Sequence, residues 1–115
     1  MKIKNKVAYI DNKYLGINKP KGHYVYIRKV NKNGTCDVNV VTSLEDKNGR
    51  FNIKKLAHVR KGNTYSIPIY DANFSRWSGV TKTPIKNVRV DKIKNIGCKK
   101  IKKRHYFYIG KYCNK

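Results

Sequence analysis

The sequence predicts a mainly β protein, one small β-barrel over residues 1–115 with a short C-terminal helical turn. Three observations lead there. The run Thr35–Leu44 alternates, with Cys36, Val38, Val40 and Thr42 on one face and Asp37, Asn39, Val41 and Ser43 on the other. A period of two marks a half-buried strand. Asn-Gly pairs at Asn33–Gly34 and Asn48–Gly49 punctuate the chain as turns do. The remaining runs are short and rich in β-branched and aromatic residues, the pattern of small barrels.

Lys6–Ile10 reads as a first strand, followed by a polar loop containing two glycines and a proline. His23–Val30 is a second strand, and the turn Asn31–Gly34 joins it to Thr35–Leu44 as an antiparallel hairpin. Glu45–Arg50 is a polar loop. Phe51–Val59 begins like a strand and either extends it or ends in a short turn. Thr64–Asp71 alternates, but Pro68 removes a ladder donor, which predicts an edge strand or a stop. Ala72–Thr83 has no period and reads as a loop holding Phe74 and Trp77. Pro84–Val90 restarts a strand. Asp91–Arg104 fits a bulged strand or a short helix, with one helical turn over Cys98–Arg104, and His105–Tyr112 reads as a last strand.

Charge is the dominant compositional fact. Lys and Arg number 28 against six Asp and Glu, a formal net charge of +22. Self-repulsion of that size destabilises a compact state, and a polyanion relieves it. Nine tyrosines, three phenylalanines and one tryptophan argue against disorder and suit base stacking. Nucleic acid is the expected partner. Cys36, Cys98 and Cys113 show no CxxC spacing and no histidine at ligand spacing, so no zinc site is expected. Cys36 and Cys113 read as ordinary strand residues. No signal peptide and no membrane-length apolar run is present, which predicts a cytoplasmic protein with reduced thiols and no membrane partner.

The order of pieces resembles the MazF/PemK family of toxin endoribonucleases from about Lys6 to Lys103. The residues that carry the likeness are the strand and basic loop "KVAYIDNKYLGINKPKG", the strand "HYVYIRKV", the turn "NKNG" and the strand "TCDVNVVTSL". The later "TPIKNVRVDKIKNIGCKKIKK" places Asp91, Ile93 and Lys94 in the family's acidic, apolar and basic slots. The resemblance implies an SH3-like β-barrel that forms a homodimer. It also implies cofactor-free, metal-independent cleavage of single-stranded RNA and neutralisation by a cognate antitoxin. Thr42 and Ser43 match the family's Thr/Ser position. The family's arginine slot after the basic loop is held here by His23, followed by Tyr24 in place of the usual proline.

Metal-free RNA cleavage needs a base for the 2′-OH, an acid for the departing 5′-oxygen, and cations or donors on the phosphorane. His23 suits proton transfer, because histidine titrates near neutral pH. Thr42 or Ser43 could donate to a phosphate oxygen, and Arg28, Lys19 or Lys21 could carry the opposing charge. Lys99, Lys100, Lys102, Lys103 and Arg104 form the most basic stretch, and Arg76 with Trp77 is a candidate stacking pair. A second class of function fits the same composition. It is a non-catalytic nucleic-acid-binding barrel: a mobile-element accessory factor, a regulator, or an inhibitor of a nucleic-acid enzyme.

Overall fold

The computed structural model describes residues 2–112. Seven antiparallel strands form one sheet: β1 (Val7–Asp11), β2 (Gly22–Val30), β3 (Thr35–Ser43), β4 (Thr64–Ile67), β5 (Ser78–Thr81), β6 (Ile85–Arg89) and β7 (Lys94–Lys99). Three helices, α1 (Ile53–Arg60), α2 (Ile69–Ala72) and α3 (Arg104–Tyr112), complete the mainly β architecture. The strand order is β4-β5-β3-β2-β1-β7, with β6 also paired to β3. Among the described residues β4 and β7 do not pair, so the sheet is open where a closed barrel was expected. No helix among those residues is long and apolar enough to cross a membrane.

The expected β2–β3 hairpin forms, with Val25 opposite Val40 and Ile27 opposite Val38. Val25, Tyr26 and Ile27 are all buried although neighbours on a strand face opposite ways. Both faces of the sheet are therefore covered. Ala8, Ile10, Val25, Ile27 and Val38 pack into one apolar cluster. Val7, Tyr26, Val41, Ile67 and Ile109 belong to a second, under α3. Cys36 is buried in the first cluster, and burial followed by the neighbouring Asp37 charge pushes its thiol up to about 11. It is an inert strand residue, as expected; Cys113 lies outside the described residues.

Four sequence expectations are corrected. Phe51–Val59 is a helix start and not a strand: Asn52 accepts from the Lys55 backbone N–H at 3.1 Å and caps α1. Ala72–Thr83 is not all loop, because Ser78–Thr81 inserts as β5 between β3 and β4. His105–Tyr112 is helical although rich in β-formers. His105 and Ile109, four residues apart, are buried on one face, while Phe107 is 70% exposed. Cys98 and Lys99 finish β7 and form no helical turn. Pro68 acts as expected: β4 stops before it at the sheet edge, and α2 starts after it.

What holds α3 helical is α2. Asp71 is buried, and its carboxylate meets Lys102 at 3.0 Å, Arg104, and His105 Nε2 at 2.7 Å. His105 Nδ1 in turn meets the Tyr65 hydroxyl of β4 at 2.6 Å. Burial alone would raise the Asp71 pKa; hydrogen bonds from His105, Lys102 and Arg104 outweigh it and hold the carboxyl well below the usual range. This tertiary tie overrides the aromatic residues' preference for strands.

Two predictions follow from this packing. Gly22 sits where an added Cβ would run into the Ile10 carbonyl oxygen and lie 2.9 Å from the Tyr9 ring. Gly22→Ala should therefore destabilise the chain by about 1–3 kcal/mol in urea unfolding. Asp71→Ala should raise amide exchange through Arg104–Tyr112 while β2 and β3 stay protected. Unchanged exchange in α3 would show that the helix does not depend on that carboxylate.

Candidate catalytic and nucleic-acid-binding site

His23 lies near the start of β2, opposite the buried Ile10 of β1. Its orientation is set by the loop before it. Asn12, itself buried, donates its amide protons to the carbonyls of Lys19 (3.3 Å) and Pro20 (3.1 Å). Its Oδ1 therefore accepts, and His23 Nδ1–H donates to it at 2.5 Å. This fixes the proton on Nδ1 and leaves Nε2 with its lone pair. Among the described residues Nε2 has no hydrogen-bond partner.

Across the hairpin, Tyr24 stands opposite Val41. One further step in the same register sets His23 opposite Thr42, and directly opposed residues share a face. The two side chains foreseen as partners thus stand at the same rim of the first apolar cluster. A third group joins them that the sequence did not reveal. Lys55, in the first turn of α1, donates through Nζ to Thr42 Oγ1 and to the Ser43 carbonyl, both at 2.8 Å. An ammonium has three protons, so one remains. Thr42 accepts through its oxygen and keeps its own O–H to donate. Desolvation, then the charges of Lys55 and Lys19, lower the His23 pKa below the ordinary 6.5. The imidazole is neutral at pH 7 and able to take a proton.

The other candidates separate. Ser43 points to the opposite face from Thr42, and its hydroxyl is engaged within one turn: it donates to the Glu45 carbonyl (2.7 Å) and accepts from the Glu45 N–H (3.2 Å). Arg28 is five residues along β2 from His23, roughly 17 Å at about 3.3 Å per residue. It lines a groove with Tyr26, Tyr106 and Phe107, away from the rim. Lys19 and Lys21 flank the rim in the loop before His23. Trp77 is half-buried and packs edge-on against Phe51 at 6.2 Å rather than presenting an open stacking surface. Arg76 and Lys99 line a cleft of about 170 Å³ with Tyr24, Thr42 and Phe74. Lys102 and Arg104 are committed to Asp71, whereas Lys100 and Lys103 line an open groove beside Tyr106. His58 is exposed on α1, and His105 belongs to the Asp71 tie.

The depressed His23 pKa has a measurable sign. Near pH 6 the unfolded chain binds a proton at His23 that the folded chain refuses, so stability rises with pH through this window. Thermal melts from pH 5 to 7.5 should show that rise, and His23→Gln should flatten it. Equal slopes in the two proteins would mean that the imidazole is not held neutral by its surroundings.

No protein-family model matches the chain, and no curated protein matches it.

Proposed function

We propose that this chain is a metal-independent endoribonuclease of the toxin–antitoxin kind, cutting single-stranded RNA by attack of the 2′-OH on the adjacent phosphate. The observation that carries the reading is the rim itself: His23 of β2, with an unoccupied Nε2, lies one register step beyond the Tyr24–Val41 pair, on the face where the Thr42 hydroxyl accepts from the Lys55 ammonium. His23 Nε2 removes the 2′ proton. The 2′-oxygen then bonds to phosphorus as the bond to the 5′-oxygen breaks, and that oxygen takes a proton from solvent. Lys55 and Thr42 hold the charged phosphoryl oxygens with the proton each has left. Products end in a 2′,3′-cyclic phosphate. Homodimerisation and a cognate antitoxin come with the resemblance to the MazF/PemK family and belong to the same proposal.

A second reading is a nucleic-acid-binding protein without catalysis. The specific feature that favours it is the histidine in the family's arginine slot. It predicts gel shifts that weaken steeply with salt and no cut product.

Labelled RNA incubated with the protein in EDTA separates the two. Cleavage with cyclic-phosphate ends is expected, and His23→Ala should slow it by about 10²–10⁴-fold, the range for losing a positioned acid–base group. Lys55→Ala should cost on the order of 10²–10³-fold, as for a lost charge-stabilising donor. Thr42→Ala should also reduce cleavage, and all three variants should bind RNA within a few fold of the parent. Full-rate cutting by His23→Ala and Thr42→Ala would place the chemistry elsewhere.

A further inference from the structure

We propose that the side of the sheet covered by α3 is a single-strand track that leads RNA away from His23, entering at the Tyr24–Phe74 cleft and continuing between β7 and α3. The proposal takes its substrate class from the nuclease reading and adds the path. Three openings on this side share walls. Lys99 lines both the cleft of about 170 Å³ and a groove of about 370 Å³ between β7 and α3. Asn5 and Tyr106 line that groove and also the next, of about 570 Å³. The cleft's Tyr24, Val41 and Ser43 face the side of the sheet opposite His23, and Thr42, which also lines the cleft and holds Lys55, is where the path adjoins the candidate reaction centre across the end of β3.

The chemistry along the path is uniform. No acidic side chain lines any of the three openings. Arg76 and Lys99 stand at the cleft, Lys6, Lys100 and Lys103 at the middle groove, and Lys4 and Lys29 at the far one. Among the described residues no acid pairs with Lys6, Lys100 or Lys103. Aromatic rings mark both ends. Tyr24 is 36% exposed, with Lys99 over its ring at 5.9 Å, and Phe107 is 70% exposed on α3. Cations spaced between open rings match a chain of alternating phosphates and unstacked bases. A duplex hides its bases from such rings, and a lipid surface has no use for the intervening clefts.

The test titrates the full chain with a fluorescent 2′-O-methyl oligonucleotide of about 12 nucleotides, within the roughly 4–16 that comparable single-strand sites occupy. The blocked 2′-oxygen cannot attack, so binding is read without cleavage. Lys100→Glu with Lys103→Glu should weaken binding by about tenfold or more, and flatten the log–log salt slope by about 1.4, two contacts at about 0.7 each. Lys47→Glu with Lys86→Glu makes the same charge change away from the path and should stay within a few fold. Phe107→Ala should cost roughly fivefold or more, the scale of one lost base stack. Equal loss from both charge pairs overturns the track, as does equal affinity for double-stranded RNA or for phosphatidylserine vesicles. If the oligonucleotide follows the track but RNA is never cut, the nuclease reading fails and the track stands. If the Lys100/Lys103 variant cuts RNA at the parent KM, the track fails and the nuclease reading stands.

Discussion

The carboxylate of Asp71 is the interaction on which the rest of this molecule depends. In a chain of net charge +22, an acid is the scarcest building material. One of only six is buried, where it gathers Lys102, Arg104 and His105 and through His105 reaches Tyr65. Burying a carboxylate is unfavourable unless it is paired and hydrogen-bonded, and here it is both. The contact sets α3 over Val7, Tyr26 and Val41 and so closes the second apolar cluster. The other five acids are also engaged. Asp37 accepts from Asn31 and from the Asn87 N–H, and Asp46 from the N–H groups of Asn48 and Arg50. Glu45 accepts from the Trp77 N–H; Asp11 and Asp91 pair with Lys94 and Arg89. Every acid is used to fix the chain. None is left to neutralise the grooves along α3, and their positive potential follows from that distribution.

The rim depends on a different constraint, the register of β2 on β3. With both faces buried, a slip of one residue would drive Tyr26 or Val41 into the wrong cluster and turn His23 away from Thr42. Asn39 makes such a slip more costly. It is fully buried in β3, and its amide donates to the Thr81 carbonyl of β5 at 2.8 Å. The same packing that stabilises the hairpin therefore holds the two rim side chains face to face.

Much of this was legible in the sequence, and the reasons differ from place to place. The β2–β3 hairpin could be read because a strong turn joins two runs of clear period, and the juxtaposition of His23 with Thr42 is a consequence of that hairpin. Lys55 could not be read, since it reaches the rim only from a helix that starts at Asn52, and Phe51 and Ile53 disguise that start as a strand. β5 lacked a signal because "SGVT" is four residues with one strong β-former; Gly79 is there because Thr64 and Leu44 fill the space of a side chain. α3 reads as a strand because its four aromatics outweigh the four-residue spacing of His105 and Ile109, whose meaning depends on a partner, Asp71, 34 residues away from His105. Asn12 looked like one more polar loop residue. Only its burial shows that it sets the histidine's tautomer.

The histidine in place of arginine then has a physical account within the proposed nuclease. Arginine is always charged and offers a fixed fork to a phosphate, but it exchanges protons poorly. An imidazole exchanges protons readily and, when neutral, offers no charge. In that proposal the two duties fall to two side chains: His23 would receive the proton and Lys55 would supply the positive charge. They are coupled, because the ammonium that would hold the phosphorane also disfavours a second positive charge on the imidazole beside it. As the imidazole takes the 2′ proton, the cost of that repulsion is offset by the negative charge growing on the phosphoryl oxygens between them. In that proposal the arrangement disfavours protonation in the free protein, and a phosphate under attack would offset the cost.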